Sequence, residues 1–318
     1  MGTTWHVSIV NPPFGIASDQ LQLGIEERLD EVNRSMSTYL ADSEISRFNA
    51  LAIGTWFVTS SDFFRVLSTA LEVGRQSEGA YDVTVAPLVE LWGFGPGGAI
   101  ETLPTEAALA EAQTQVGQAN IRLDRENLSI MKQGLLSLDF SSLAKGFAVD
   151  KVAQWLLDKG VTRFLVEVGG EMRLAGLSSR GDPWRIAIEQ PDSSTRAAAV
   201  AMSLSNVAMA TSGDYRNYFE IDGRRFSHSI DPRTGHPVKH DLVSVTVVHP
   251  SAMVADAWAT ALIILGTERA MVVAEAQGLA VYFIRRSEEE FVHSQTTAFS
   301  VYLEQHDIEG RLGPGTET

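Results

Sequence analysis

Asn206-Val-Ala-Met-Ala-Thr-Ser-Gly-Asp-Tyr-Arg-Asn-Tyr-Phe-Glu-Ile-Asp-Gly-Arg-Arg-Phe-Ser-His-Ser-Ile-Asp-Pro-Arg-Thr-Gly235 is the stretch on which the reading of the fold turns. Its middle reads as a hairpin, with strand-like runs at 217–221 and 224–228 on either side of Asp222-Gly223. That dipeptide suits a two-residue turn with positive φ at both positions. Strands joined so tightly must pair antiparallel, because a parallel pair needs a long crossover. The same stretch is unusually polar for a core segment. It offers hydroxyls (Thr211, Ser212, Ser227), cations (Arg216, Arg233), the imidazole of His228, and turns at Gly213 and Gly235. Such parts can hold a negatively charged, nucleotide-like ligand.

Working outward, a second hairpin is predicted from 121–124 and 128–131 about Arg125-Glu126-Asn127. Further strands are predicted at 163–168, 171–176, 184–190, 198–204, 242–248 and 280–285, and Thr4 to Val10 is strand-like. Helical spacing places Leu21, Ile25, Leu29, Val32 and Met36 on one face of a helix over 20–36. Other helices are expected at 62–77 with Ser61 as cap and Phe63, Leu67 and Leu71 inward, and at 105–116 with Thr105 as cap. A helix over 146–159, ending at Gly160, turns Ala148, Val152, Trp155 and Leu156 inward; 252–265 and 267–277 complete the set. Helices inserted between groups of hairpin-joined strands give an α+β fold, mixed but with mainly antiparallel sheets and flanking helices. There is no Gly-x-Gly-x-x-Gly after a strand and no Walker-type loop.

The chain has 318 residues, enough for one large domain or two. A net charge of −15 argues against a nucleic-acid binder, since phosphate backbones would be repelled. Any phosphate ligand then needs local donors or a divalent metal. Cysteine is absent, which excludes disulfides, thiolate zinc sites and cysteine nucleophiles. No apolar run approaches the ~18 residues of a transmembrane helix; the longest, Ala257 to Leu265, is interrupted by Thr260. Residues 1–15 lack the basic and apolar regions of a signal peptide.

Several local patterns bear chemistry, each beside a plainer reading. Asp256 and Thr260 lie four apart on a predicted helix and share a face. Stacked oxygens of this kind suit a hard cation, and magnesium takes one or two protein carboxylates plus water and substrate phosphates. The plainer reading is an acid near a helix N-terminus and a threonine bonding back to the backbone. Asp139-Phe-Ser-Ser-Leu-Ala-Lys-Gly146 joins a strand to a helix, where free N–H groups and Lys145 would attract phosphate. Taken alone, Ser141 or Ser142 is simply the helix cap. Glu167-Val-Gly-Gly-Glu171 is a tight bend or a place of close ligand approach. Gly79-Ala-Tyr-Asp-Val-Thr-Val-Ala-Pro-Leu88 with Leu91-Trp-Gly-Phe-Gly95 reads as non-helical, either a wall for a flat aromatic ligand or a packed loop. His228 is the best general-base candidate, having an ordinary pKa near neutrality, with Asp231 and Arg233 close in sequence.

Together these segments resemble the ApbE family of FAD:protein FMN transferases. The likeness runs in order through Met1 to Trp5, Met36 to Tyr39, Asp42 to Asn49, Gly79 to Gly95, Asp139 to Asp150 and Val166 to Glu171. It continues through Ala210 to Arg216, Ser227 to Gly235 and Ala255 to Thr260. The resemblance implies a T-fold-like, ApbE-type architecture, with one catalytic domain over 1–318 or two intimately packed subdomains. It implies magnesium-dependent cleavage of FAD, attachment of FMN through a phosphoester to a Thr or Ser of an acceptor protein, and release of AMP. By position, Ser142, Asp256 and Thr260 correspond to metal ligands. Met1, Tyr39, Ala80, Tyr81, Asp82, Asp139, Lys145 and Ile230 correspond to FAD contacts, with Tyr39 beside a flat ring. Glu171 and Thr211 are looser candidates for the pocket, and His228 or a nearby carboxylate for the base. The acceptor expected is a subunit of a membrane redox complex. Members of the family commonly begin with a leader or lipidated cysteine, whereas this chain starts at Met1-Gly2-Thr3. The expectation is a periplasmic protein, anchored to the inner membrane as a lipoprotein with its leader absent here; a cytoplasmic member is the alternative. Two other readings use the same pocket: a magnesium-dependent FAD pyrophosphatase giving FMN and AMP, and an FAD-binding module without chemistry.

Overall fold

The computed structural model describes residues 2–95, 97–191, 198–213, 218–221, 224–288 and 290–303. The first half runs β1 (Trp5–Ile9), α1 (Ser18–Met36), α2 (Glu44–Asn49), β2 (Phe57–Val58), α3 (Ser61–Gln76), α4 (Ala86–Leu91), α5 (Glu106–Gln113), β3 (Ile121–Asp124), β4 (Ser129–Lys132) and α6 (Ala144–Asp158). Next come β5 (Phe164–Val168), β6 (Glu171–Ala175), β7 (Trp184–Glu189), β8 (Ala198–Leu204), β9 (Ala208–Gly213), β10 (Tyr218–Ile221) and β11 (Arg224–Ser227). The chain continues with β12 (Ile230–Asp231), β13 (His236–Pro237), β14 (Leu242–His249), α7 (Ala252–Leu265), α8 (Thr267–Ala276), β15 (Ala280–Ser287) and β16 (Glu290–Gln295).

Seven strands form the main sheet in the order β1-β5-β6-β9-β14-β15-β16, and every described pairing in it is antiparallel. Both faces are covered. Val166, Ala210, Val245, Val247 and Phe283 point into the large core shared with α1, α3, α6 and α7. Leu174, Met209, Val243, Val248 and Ile284 point the other way, under the β7–β8 hairpin (Trp184, Ile188, Met202, Leu204) and Phe299. A third, separate cluster joins Leu88 and Trp92 of α4 and its end, Leu109 and Ala112 of α5, Phe226 of β11 and Ile230 of β12. The predicted stripe on α1 is buried as expected: Leu21, Ile25, Leu29, Val32 and Met36. Burying one such side chain contributes roughly 1.5–3 kcal/mol.

Register supports the opening hairpin, since Ile221 pairs with Arg224 and leaves two residues between the strands. Asp222 and Gly223 themselves lie outside the described residues. Gly169 and Gly170 turn β5 into β6 with φ of +62° and +105°, the left-handed backbone that a two-residue hairpin requires.

Some expectations need correction. Helix α3 is capped by Ser60, whose Oγ accepts from Phe63 N (3.2 Å), one residue before the expected Ser61. The stretch 79–95 is not wholly non-helical, because Ala86–Leu91 forms α4. Pro87 stands in its first turn, where a proline's fixed φ suits the helix and its missing N–H costs nothing. Strand β9 was not expected, as Ala-Met-Ala-Thr-Ser-Gly has weak strand propensity. Its neighbours β6 and β14 impose the extended form from both sides.

Candidate active site

Helix α7 brings the chemistry together. Ser251 caps it, accepting from Val254 N (3.4 Å), and its small Ala-rich sequence lets it lie close to both α6 and β9. The contact with α6 depends on Gly146. A Cβ there would meet Ala252 O at 2.3 Å and Met253 Cα at 2.8 Å, so only glycine fits. Close approach lets Gly146 N donate to Asp256 Oδ2 at 3.0 Å. The other oxygen, Oδ1, lies 3.8 Å from Lys145 Nζ. Lys145 in turn donates to Glu171 Oε1 at 2.5 Å, across the turn formed by the glycine pair. Glu171 is buried, and its Oε2 has no hydrogen-bond partner among the described residues.

One ammonium thus stands between two buried carboxyls. Burial pushes Glu171 up to about 8, and the charge of Asp256 adds to it against the opposing pull of Lys145. Burial likewise raises Asp256 above the usual carboxylate range, more than Lys145 and the Gly146 amide lower it. Burial works against the charge on Lys145, but Asp256 and Glu171 outweigh it and hold the ammonium above its ordinary pKa. Lys145 therefore stays charged while the two carboxyls compete for it.

These groups line a cavity of about 820 Å³. Its carboxylates are Asp82, Asp139, Glu167, Glu171, Glu189 and Asp256; Lys145 is the one lysine and there is no arginine among the described lining residues. Three of the acids are spent on shaping loops. Asp82 accepts from Thr84 N and Oγ1 (2.8 and 2.6 Å) and from Gln118 N (3.1 Å). Asp139 accepts from Ser141 N (2.7 Å) and Glu167 from Gly170 N (2.6 Å). That leaves Lys145 facing Glu171, which burial keeps largely protonated near neutral pH, and Asp256.

Hydroxyls surround this point. Ser142 does not cap α6, contrary to the plainer reading. Leu143 occupies the cap position without a side-chain bond, and Ser142 Oγ donates to the Tyr81 hydroxyl at 2.9 Å. Tyr81 is buried, which pushes its phenol well above its ordinary pKa and keeps it neutral. Thr260, one turn after Asp256, shares a hydrogen bond with Ser212 (3.2 Å), and Thr211 shares one with Thr246 (2.8 Å).

Of the residues expected in the site, the cavity wall contains Ala80, Tyr81, Asp82, Asp139, Ser142, Lys145, Glu171, Thr211, His228, Ile230, Asp256 and Thr260. Tyr39 is not brought to it: it is 73% exposed on the turn after α1 and absent from the lining. Met1 and Arg216 lie outside the described residues. The ring of Phe94 meets His228 edge-on at 6.3 Å. Val85, from the stretch read as a ligand wall or a packed loop, joins Val89, Ile188, Met209 and Ile264 in an apolar wall; the sequence does not single out the last four. Isolated aliphatic residues carry no chemical signal. Ser212 was noted only as one hydroxyl of the polar stretch; its spacing from Thr260 gave no hint of their contact.

Comparison with known proteins identifies the family. The model of the ApbE family matches residues 1–283. A protein of Haemophilus influenzae named FAD:protein FMN transferase is 44% identical over 310 residues, covering 96% of this chain and 90% of that protein. The solved structure of the flavin transferase ApbE from Vibrio cholerae superposes with a TM-score of 0.88 at 40% identity, covering 95% of this chain and 96% of that one. The apo form of the Pseudomonas stutzeri flavinyl transferase ApbE gives 0.87 at 39% identity, covering 95% and 94%. With its fold matched over nearly its whole length and its sequence over most of it, this chain belongs to the ApbE family.

Proposed function

We propose that this chain transfers FMN from FAD to a Thr or Ser hydroxyl of an acceptor protein, with release of AMP, and that it does so with magnesium. The observation that carries the magnesium reading is the donor set: the carboxyl of Asp256 and the hydroxyls of Ser142 and Thr260 line one cavity wall beside Lys145, its one lysine among the described residues. A pyrophosphate diester brings two negative charges, more than Lys145 alone neutralises. The donor set fits a hard ion. It is all oxygen, and among the described residues no three His, Asp or Glu side chains gather into a complete metal cage. Magnesium characteristically takes few protein ligands and completes its shell with water and substrate phosphate. Asp256, Ser142 and Thr260 would hold it, and when bound it neutralises pyrophosphate charge as a Lewis acid.

The protein's own part is positioning. Phosphoryl transfer needs alignment and charge neutralisation more than a covalent protein group. Lys145 faces the phosphates; the first amides of α6 do not, since Ala144 N donates to Phe140 O and Gly146 N to Asp256. The acceptor oxygen bonds to the FMN phosphorus as the bond to the AMP phosphate breaks, and His228 takes the hydroxyl proton. The apolar wall of Val85, Val89, Ile188 and Ile230 excludes water from the ring systems. We place this reaction in the periplasm, acting on a subunit of a membrane redox complex; the resemblance noted above is its support.

Intact mass of an acceptor domain after incubation with FAD, magnesium and the protein is the direct test. One added FMN, abolished by chelation, is expected. Free FMN and AMP with a bare acceptor would instead favour hydrolysis, and FAD left whole would leave only binding. His228→Asn is expected to slow transfer by about 10²–10⁴, the usual contribution of a general base, with FAD affinity unchanged. A variant as fast as the parent removes His228 from the chemistry.

A further inference from the structure

Asp150 is a buried carboxylate outside the cavity lining, and its contacts are unusually complete. It sits on α6 one turn after Gly146. Its Oδ1 accepts from Ala252 N (3.1 Å) and from Arg173 Nη1 (3.0 Å). Its Oδ2 accepts from Ser251 Oγ (2.6 Å) and Met253 N (3.1 Å). The first amides of a helix have no partner within the helix, and they carry its positive end. Asp150 satisfies two of these for α7, and also holds the hydroxyl of the residue that caps it.

A second link between the same helices lies one turn earlier on α6 and one turn later on α7: Gly146 N to Asp256 Oδ2. The two links set α7 against α6 in one axial register. With Oδ2 of Asp256 pinned to α6, its Oδ1 is turned toward Lys145. We propose that Asp150 is a positioning residue for the metal site: through Ala252 and Met253 it fixes the register of α7, and thereby the aim of Asp256 and Thr260. Arg173, on the neighbouring strand β6, donates to Asp150 Oδ1 at 3.0 Å and helps hold the carboxylate in place. This inference rests on the magnesium reading above.

The test is Mn²⁺ binding, followed by the free-ion electron paramagnetic resonance signal, on the full chain and three variants. Asp150→Asn keeps the shape but loses the charge and the match to two amides plus a guanidinium. Its Mn²⁺ affinity is expected to fall 10–100-fold, the range seen when partners behind a metal ligand are removed. Arg173→Met keeps Asp150 and its amide contacts, should fold even if Asp150→Asn does not, and is expected to lose several-fold. Val152→Ala truncates a buried residue of the same helix away from these contacts; it is expected to lower the melting temperature without changing Mn²⁺ affinity. Parent affinity in Asp150→Asn or, should that not fold, in Arg173→Met would overturn the proposal while leaving the metal site standing. Equal weakening in Val152→Ala would also overturn it, reducing the effect to general destabilisation. A parent that binds no Mn²⁺ would sink the metal reading and this proposal with it.

Discussion

Asp256→Ala should leave a folded, FAD-binding protein that no longer transfers FMN. The substitution removes the one carboxylate that both faces Lys145 and stands a turn from Thr260. Lys145 keeps its bond to Glu171, so the remaining pair is close to neutral and nothing repels the pyrophosphate more than before. The Gly146 amide loses its acceptor, a penalty of about 1–3 kcal/mol for a buried donor. What is lost in turnover is larger. Metal-ion stabilisation of transferring charge amounts to several kcal/mol, so the rate should fall by at least about a thousandfold. Single-turnover transfer followed by intact mass gives the rate, and flavin fluorescence titration gives the affinity. Transfer at the parental rate would remove Asp256 from the metal site, and a matching collapse of FAD binding would make it a substrate ligand instead.

Gly146→Ala should damage both folding and turnover, for a reason local propensity hides. Alanine favours a helix interior by about 1 kcal/mol over glycine. Here its methyl would lie 2.3 Å from Ala252 O, 2.6 Å from Ala252 C and 2.8 Å from Met253 Cα. All three are backbone atoms of α7, which cannot swing aside as a side chain can. Forcing extra atoms into a packed contact costs typically 1–3 kcal/mol, and relief requires the two helices to part. Parting them stretches the bond from Gly146 to Asp256. A lowered melting temperature together with a raised magnesium requirement is the expected result. If the variant melted and turned over like the parent, the helices could not be in such close contact.

Much of this was legible in the sequence. The spacing of Asp256 and Thr260 predicts their shared helix face, and the structure puts both on the cavity wall. The antiparallel sheets follow from turns such as Gly169-Gly170, read beforehand as a bend. That the bend also carries Glu171 to Lys145 was not derivable locally, because the partner lies 26 residues away in sequence. Ser142 misleads in the opposite direction. A serine before a helix is usually its cap, and only the position of Tyr81 shows that its hydroxyl is engaged elsewhere. Asp150 carries a signal of its own, since an acid amid the apolar residues of 146–159 needs a partner, but the sequence does not name that partner. Strand β9 and helix α4 escaped because tertiary neighbours and a proline, in turn, outweigh composition there.

The cavity draws its walls from different packing units. Gly146, Asp256 and Thr260 belong to helices of the large core, so change there is punished twice, once in folding and once in chemistry. Ile230 and the residues leading into α4 belong to the small cluster around Trp92, which is anchored by the indole's bond to Gly235 O (2.8 Å). Mutational drift can proceed in that cluster with the main sheet undisturbed. Over evolutionary time the catalytic wall is expected to stand nearly still while the opposing wall diversifies. Laboratory selection for new acceptors or altered nucleotides would do best to randomise Val85, Val89 and Ile230 and leave α6 and α7 untouched.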